Sequence, residues 1–200
     1  MRAAFLLLPA IAMLAGCNAQ PAAPTIAEQE AALRNEAADL KGWDRVFGVP
    51  SETMAKLNQF GFRLGAYEKA ATGFAAKGAA ITLSQSDAKN PNRGTVDVTG
   101  MDPAAIDRIV FTLPVTDEAN ADTAKKRLAD IVSAFLFQYG IKGAGALDAL
   151  AKEQAADGMI DAAPFAIAVT GDTPRRITVT LQRPTTSDEP APAAGNTQQP

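Results

Sequence analysis

Hydrophobic and polar positions along the chain fall into two periods, and the order in which they alternate predicts an α+β domain. Thr25-Ile26-Ala27-Glu28 has the spacing of a capping box. From there Ile26, Leu33, Ala37 and Leu40 recur on one helical face as far as Lys41, and Gly42 supplies a stop. Trp43, Val46 and Phe47 then offer apolar mass for docking. Pro50-Ser51-Glu52 opens a second helical stretch, with Met54, Leu57, Phe60 and Leu64 at helical spacing. Gly61 and Gly65 weaken it, which predicts a break near Phe62, with a further helical turn over Tyr67 to Ala76.

The period then changes to two. Ile81 and Leu83, Val96 and Val98, and Ile109, Phe111 and Leu113 alternate with their neighbours as three strands. The Pro/Asn/Gly cluster from Asp87 to Gly94 makes the first two a hairpin, and Asp102-Pro103 reads as the cap and first position of a short helical turn. A long helix follows from Asn120 to Tyr139, with Leu128, Ile131, Val132, Phe135 and Leu136 on its buried face and Gly140 ending it. Leu147 and Leu150 mark a shorter helix between Gly145 and Gln154. Two strands close the pattern, at Phe165, Ile167 and Val169 and at Ile177, Val179 and Leu181. The expected fold is a two-layer α+β domain over residues 25–183. Its mainly antiparallel sheet has about five strands (β-β-β-α-β-β), with helices on one face and further helices at the N-terminus. This element order resembles that of secretion chaperones and related small α+β binding modules, by order alone and without a shared motif. From Pro184 to Pro200 the Pro, Ala, Ser, Thr and Gln composition has no periodicity, and predicts a disordered tail.

The first residues carry a different signal. Arg2 precedes an apolar run from Ala3 to Leu14, followed by small residues, which is the layout of a secretion signal. The run is about a dozen residues, short of the about 20 that a spanning helix needs. Leu14-Ala15-Gly16-Cys17 resembles the lipobox of bacterial lipoproteins. The resemblance implies that residues 1–16 are removed and that Cys17 carries lipid. Cys17 is the only cysteine, so an internal disulfide is excluded and lipidation gives the thiol a use. Two or more acyl chains anchor stably where one does not. Residues 18–24 read as a Pro/Ala tether reaching about 22 Å. Asn18 differs from the aspartate that retains such proteins at the inner membrane in the enterobacterial form of the family. The implied location is therefore the outer membrane, facing the periplasm.

Composition narrows the chemistry. The net charge of −3 becomes one unit more acidic when Arg2 is removed, which argues against a nucleic-acid partner. There is no histidine, so the commonest general base and metal ligand is missing. Ser86 and Lys89 have S-x-x-K spacing, but in a turn and without the companion motifs of serine acyl-transfer enzymes. Gly140, Gly143 and Gly145 follow a helix where a dinucleotide fingerprint follows a strand. Asp117, Glu118, Asn120 and Asp122 lack the glycine and terminal glutamate of an EF-hand loop, and acidic residues suit a helix N-terminus on dipole grounds alone. Lys89 with Arg93, and Arg175 with Arg176, form small basic clusters beside turns. No cofactor, metal or catalytic residue is assigned. The expected function is a non-enzymatic, membrane-anchored module that binds an envelope protein or the cell wall. The alternatives are a hydrolase or transferase using carboxylates among Asp97, Asp107, Asp157 and Asp161, and a purely structural envelope protein.

Overall fold

A computed structural model describes residues 37–85 and 88–185. The proposed signal, Cys17, the tether, most of the first expected helix and the tail beyond residue 185 lie outside the described residues, as do Ser86 and Asp87. Residues 37–39, the described end of the first expected helix, are helical; two short helices follow, α1 (Gly42–Gly48) and α2 (Pro50–Asn58). Strands β1 (Glu68–Lys69), β2 (Phe74–Lys77), β3 (Ile81–Thr82), β4 (Arg93–Gly100) and β5 (Arg108–Val115) follow. Helix α3 (Ala121–Phe137) then leads through a 3-10 turn (Ala144–Leu147) into the short α4 (Asp148–Ala151). Strands β6 (Ala156–Ile160), β7 (Ala163–Thr170) and β8 (Arg175–Gln182) complete the described chain.

All the strand pairs are antiparallel, in the order β1-β2-β4-β5-β8-β7-β6, with β3 pairing against β4. The protein is thus an α+β fold built on an open antiparallel sheet. Period-two alternation places one set of side chains in register across its centre. Val96 opposes Phe111, Phe111 opposes Val179, and Val179 opposes Ile167. These four are buried, and α3 covers them with Leu128, Ile131, Val132, Phe135 and Leu136. α1 closes the same core. Trp43 and Phe47 are buried and stacked, the Trp43 indole N–H donates to the Ile160 carbonyl at 2.8 Å, and the Ile106 N–H donates to the Phe47 carbonyl. The other sheet face carries Thr95, Asp97, Val110, Thr112, Thr178 and Thr180, all half-buried. An antiparallel sheet tolerates such a one-sided core.

The five expected strands, the β3–β4 hairpin pairing and the long helix are present. Three differences stand out. The helical turn expected over Tyr67 to Ala76 is instead β1, a turn and β2. Phe74-Ala75-Ala76-Lys77 is alanine-rich, but four register pairs with β4 override that local preference. Strand β6 contains Asp157-Gly158, a turn-like pair that is tolerated on an edge; the Phe165 ring lies over Gly158, where a Cβ would stand 3.1 Å from it. Asp102-Pro103 forms a tight turn rather than a helical one: the Asp102 carboxylate accepts the Ala104 N–H and the chain closes in a bridge to Ala105.

Glycine at position 100 is required by close approach. A Cβ there would fall on the Tyr67 hydroxyl and on the Ala105 carbonyl oxygen, which are themselves hydrogen-bonded at 2.9 Å. Gly100→Ala is expected to lower stability by about 1–3 kcal/mol through overpacking. An unchanged thermal midpoint for that variant would show that the contact yields freely.

Candidate functional site

A concavity with an apolar lining lies between α2 and the extended segment that returns beside it. Pro50, Ser51, Met54, Ala55 and Asn58 form one wall, at the i, i+1, i+4, i+5 and i+8 positions of a helix face. Leu64, Gly65, Ala66 and Tyr67 form the other, and Pro103 closes one end. The groove encloses about 510 Å³. The sequence builds it simply. Gly61, at φ +94, ends the helical run, and the chain turns back on α2. The Asn58 carboxamide then fixes the second wall, donating to the Leu64 carbonyl at 3.1 Å and accepting the Leu64 N–H at 2.6 Å. At the far end the Tyr67 hydroxyl donates to the Ala105 carbonyl. Burial raises the Tyr67 pKa, with the Asp107 and Asp102 carboxylates adding to the effect, so the phenol stays a donor. Met54 and Leu64 are buried in the groove, while Ala55, Gly65 and Ala66 are exposed.

The sequence sets Met54, Leu57, Phe60 and Leu64 at helical spacing with a break near Phe62. The helix ends at Asn58, so Met54 and Leu64 stand on facing walls, and Leu57 goes to the core. The signal that marks the second wall is Phe62-Arg63-Leu64, buried, exposed and buried in turn directly after a glycine.

Two polar networks brace the helices. In the first, Arg45 holds Glu52 through its Nε at 2.9 Å and its Nη2 at 2.8 Å, and Lys56 reaches Glu52 at 3.0 Å. The Arg45 hydrogen bond lowers the Glu52 pKa, against the opposing effect of burial. Lys56 also lies 3.7 Å from the centre of the Tyr139 ring, and the Tyr139 hydroxyl is 3.0 Å from that of Thr53. In the second, the buried Lys125 pairs with Asp122 and with Glu153, each at 2.7 Å, while Arg175 reaches Glu153 at 3.1 Å and Glu118 at 2.6 Å. Burial disfavours the Lys125 charge, but the hydrogen bonds of Asp122 and Glu153 outweigh it and its pKa is raised.

The other residues singled out in the sequence are spread over the molecule. Asp117, Glu118, Asn120 and Asp122 turn to different partners: the Asn120 amide donates to Asp117, Glu118 pairs with Arg175 and Asp122 with Lys125. Gly140, at φ +73, ends the long helix, and Gly143 packs where a Cβ would meet Leu136 and Ile160. Lys89 and Arg176 are exposed, and Arg93 donates to the Ala80 carbonyl. Among the carboxylates, Asp97 and Asp157 share one row of the open sheet face. The register runs from Asp97 through Val110, Thr180 and Ala166 to Asp157, four strand spacings or about 19 Å. Glycoside hydrolysis needs its two carboxylates about 5–10 Å apart. Asp107 accepts the Met101 N–H and lies 3.8 Å from Arg183, and Asp161 sits in the β6–β7 turn at φ +51. Among the described residues no group of three acidic or thiol side chains has metal-binding geometry, and no helix is long and apolar enough to cross a membrane.

Asn92 is the polar residue whose position the sequence pattern conceals. It sits in the expected solvated loop yet is fully buried. Its carbonyl accepts the Thr116 and Asp117 N–H groups, and its amide donates to the Asp117 carbonyl at 2.7 Å. The loop is thereby clamped to the start of the helical layer. Comparison with known protein families, with curated proteins and with solved structures gave no match.

Proposed function

We propose that this protein is a lipid-anchored component of the bacterial cell envelope, on the outer membrane and facing the periplasm, whose α+β domain is a non-enzymatic module that binds a partner protein. The anchor rests on Leu14-Ala15-Gly16-Cys17 at the end of an apolar run. The observation that carries the binding role is the groove between α2 and Leu64–Tyr67. It is apolar, and its few polar side chains do not converge on a reacting centre. The Asn58 carboxamide is engaged by the Leu64 backbone, and the Tyr67 hydroxyl is engaged by Ala105.

Two measurements test this reading. Intact mass of the protein extracted from membranes should show acyl chains on Cys17, and Cys17→Ser should leave the chain unmodified and recovered in the soluble fraction. In-cell cross-linking of the anchored protein should then recover one envelope protein in stoichiometric yield, lost in Cys17→Ser. Turnover by the purified protein that disappears on mutating one polar cluster would overturn the non-enzymatic assignment.

A further inference from the structure

We propose that the groove receives an extended peptide segment of the partner, added as a strand beside Gly65–Ala66 with a basic residue at the Tyr67 end. The proposal rests on the binding role given above and names its ligand chemistry. Four features lead to it.

The second wall is lined by four consecutive residues, Leu64 to Tyr67. A strand shown face-on presents alternate residues, so consecutive lining means that the groove sees the edge of the chain, where main-chain groups lie. At Gly65 and Ala66 those groups make no hydrogen bond within the described chain, and both residues are exposed. Nothing stands within 4 Å of where a Gly65 Cβ would be, so the side-chain side of the backbone there is open. The segment also runs directly into β1, the outermost strand of the sheet among the described residues, where it pairs with β2 alone. Unpaired main chain at a sheet edge is the template used in strand addition.

The opposite wall suits the side chains of such a strand. Met54 and Ala55 are apolar, and Pro50 and Pro103 close the Tyr67 end. The wall lengths agree: nine residues of α2 rise about 13 Å, and four extended residues cover about the same distance. The occupant is therefore short, with small aliphatic side chains at alternate positions. A docked helix would meet a wall that has almost no side chain at Gly65 and Ala66.

Charge sets its polarity. Glu68 follows Tyr67 directly and Asp102 precedes Pro103; neither forms an ion pair among the described residues. At the Leu64 end the neighbouring charge is Arg63, likewise without an ion pair and exposed. A lysine or arginine belongs at the acidic end.

The experiment selects binders for the full-length lipidated protein in detergent from a random hexapeptide display library. The expected result is enrichment of alternating small aliphatic residues with Lys or Arg at one terminus. A fluorescein-labelled copy of the selected peptide should bind at least tenfold more weakly to Ala55→Glu and to Ala66→Pro. N-methylation of alternate peptide amides should weaken it by a similar factor, and Asp102→Lys should favour an acidic terminus. Ala55 and Ala66 are exposed, so thermal midpoints close to that of the unmodified protein will separate lost binding from lost folding. Equal enrichment on the Ala55→Glu protein, or indifference to N-methylation, overturns the proposal. If cross-linking in cells still captures the partner with Ala55→Glu at full yield, the binding role stands and the groove assignment falls. If the peptide binds as described but cells yield no partner, the groove stands and the binding role falls.

Discussion

Phe111→Ala should cost about 3–5 kcal/mol of stability, the range found when a buried aromatic is truncated to alanine. Phe111 is fully buried at the centre of the sheet. Its ring meets Phe62 edge-on at 6.1 Å and Phe135 edge-on at 6.3 Å. It thereby joins the segment after α2, the sheet and α3 in one contact chain, and its strand neighbours Val96 and Val179 are buried as well. Truncation leaves a cavity bounded by three elements, and β-strand pairing limits how far the walls can move inward. Edge-to-face contacts add about 0.5–1.5 kcal/mol each beyond area burial, which places the value toward the upper end. Domains of this kind have total stabilities of about 5–15 kcal/mol, so the variant should unfold at a visibly lower urea midpoint. Phe137, on the same helix as Phe135 but 80% exposed, provides the control; Phe137→Ala should change stability by less than about 0.5 kcal/mol. Equal effects at the two positions would mean that the core does not lie where the register places it.

The second expectation concerns alkaline pH. Burial pushes the Tyr139 phenol up to about 12, from an ordinary value of 10.0. Its contacts are the Thr53 hydroxyl, the Lys56 ammonium over its ring and the edge of Phe135. The folded-state pKa lies above the unfolded one, so the protonated phenol favours folding. That contribution is complete below pH 10 and is lost as the pH rises from about 10 to about 12. A two-unit displacement corresponds to about 2–3 kcal/mol. Thermal midpoints measured between pH 9 and pH 12 should fall more steeply for the unmodified protein than for Tyr139→Phe, whose ring cannot ionise. Parallel curves would show that Tyr139 titrates normally and that solvent reaches it. The Glu52 carboxylate works in the opposite sense: its lowered pKa makes its contribution present above the ordinary carboxylate range and lost as the pH falls through the folded value.

Much of the fold is visible in the pattern of apolar positions because its central elements obey one period throughout. β4, β5, β7 and β8 alternate cleanly, and the buried stripe of α3 holds over 17 residues. The strands that the pattern conceals are short or peripheral. β1 has two exposed residues, β2 is alanine-rich, and β6 is exposed along most of its length, so burial imposes no alternation on them. The groove is harder to see for a related reason. Its walls belong to residues close in sequence, and a helical reading of Met54 through Leu64 explains the same apolar positions. Gly61 and Gly65 mark a break in the sequence, but the positive φ at Gly61 and at Arg63, properties of the folded backbone, are what set the two walls face to face. Asn92 illustrates the remaining gap. Its composition and neighbours describe a solvated turn, and its burial follows from three hydrogen bonds to the β5–α3 junction, about 24 residues away.

The pairing of β5 with β8 also bears on how the molecule assembles. Eight register pairs join Arg108–Val115 to Arg175–Gln182, and the 116–174 stretch lies between them, with α3 and two further strands inside it. Every other ladder of the sheet links strands near one another in the chain. The molecule is therefore two locally closed ribbons, β1 to β5 and β6 to β8, joined along one seam that only a large loop closure can form. Loop entropy makes that seam the slow contact to establish, and it runs through the Phe111 row. A ribbon that has not met its partner exposes Ile109, Phe111 and Leu113 on one side, or Ile177, Val179 and Leu181 on the other, along a bare strand edge. If the chain is exported as proposed above, the hazardous interval is the time before those two edges find each other.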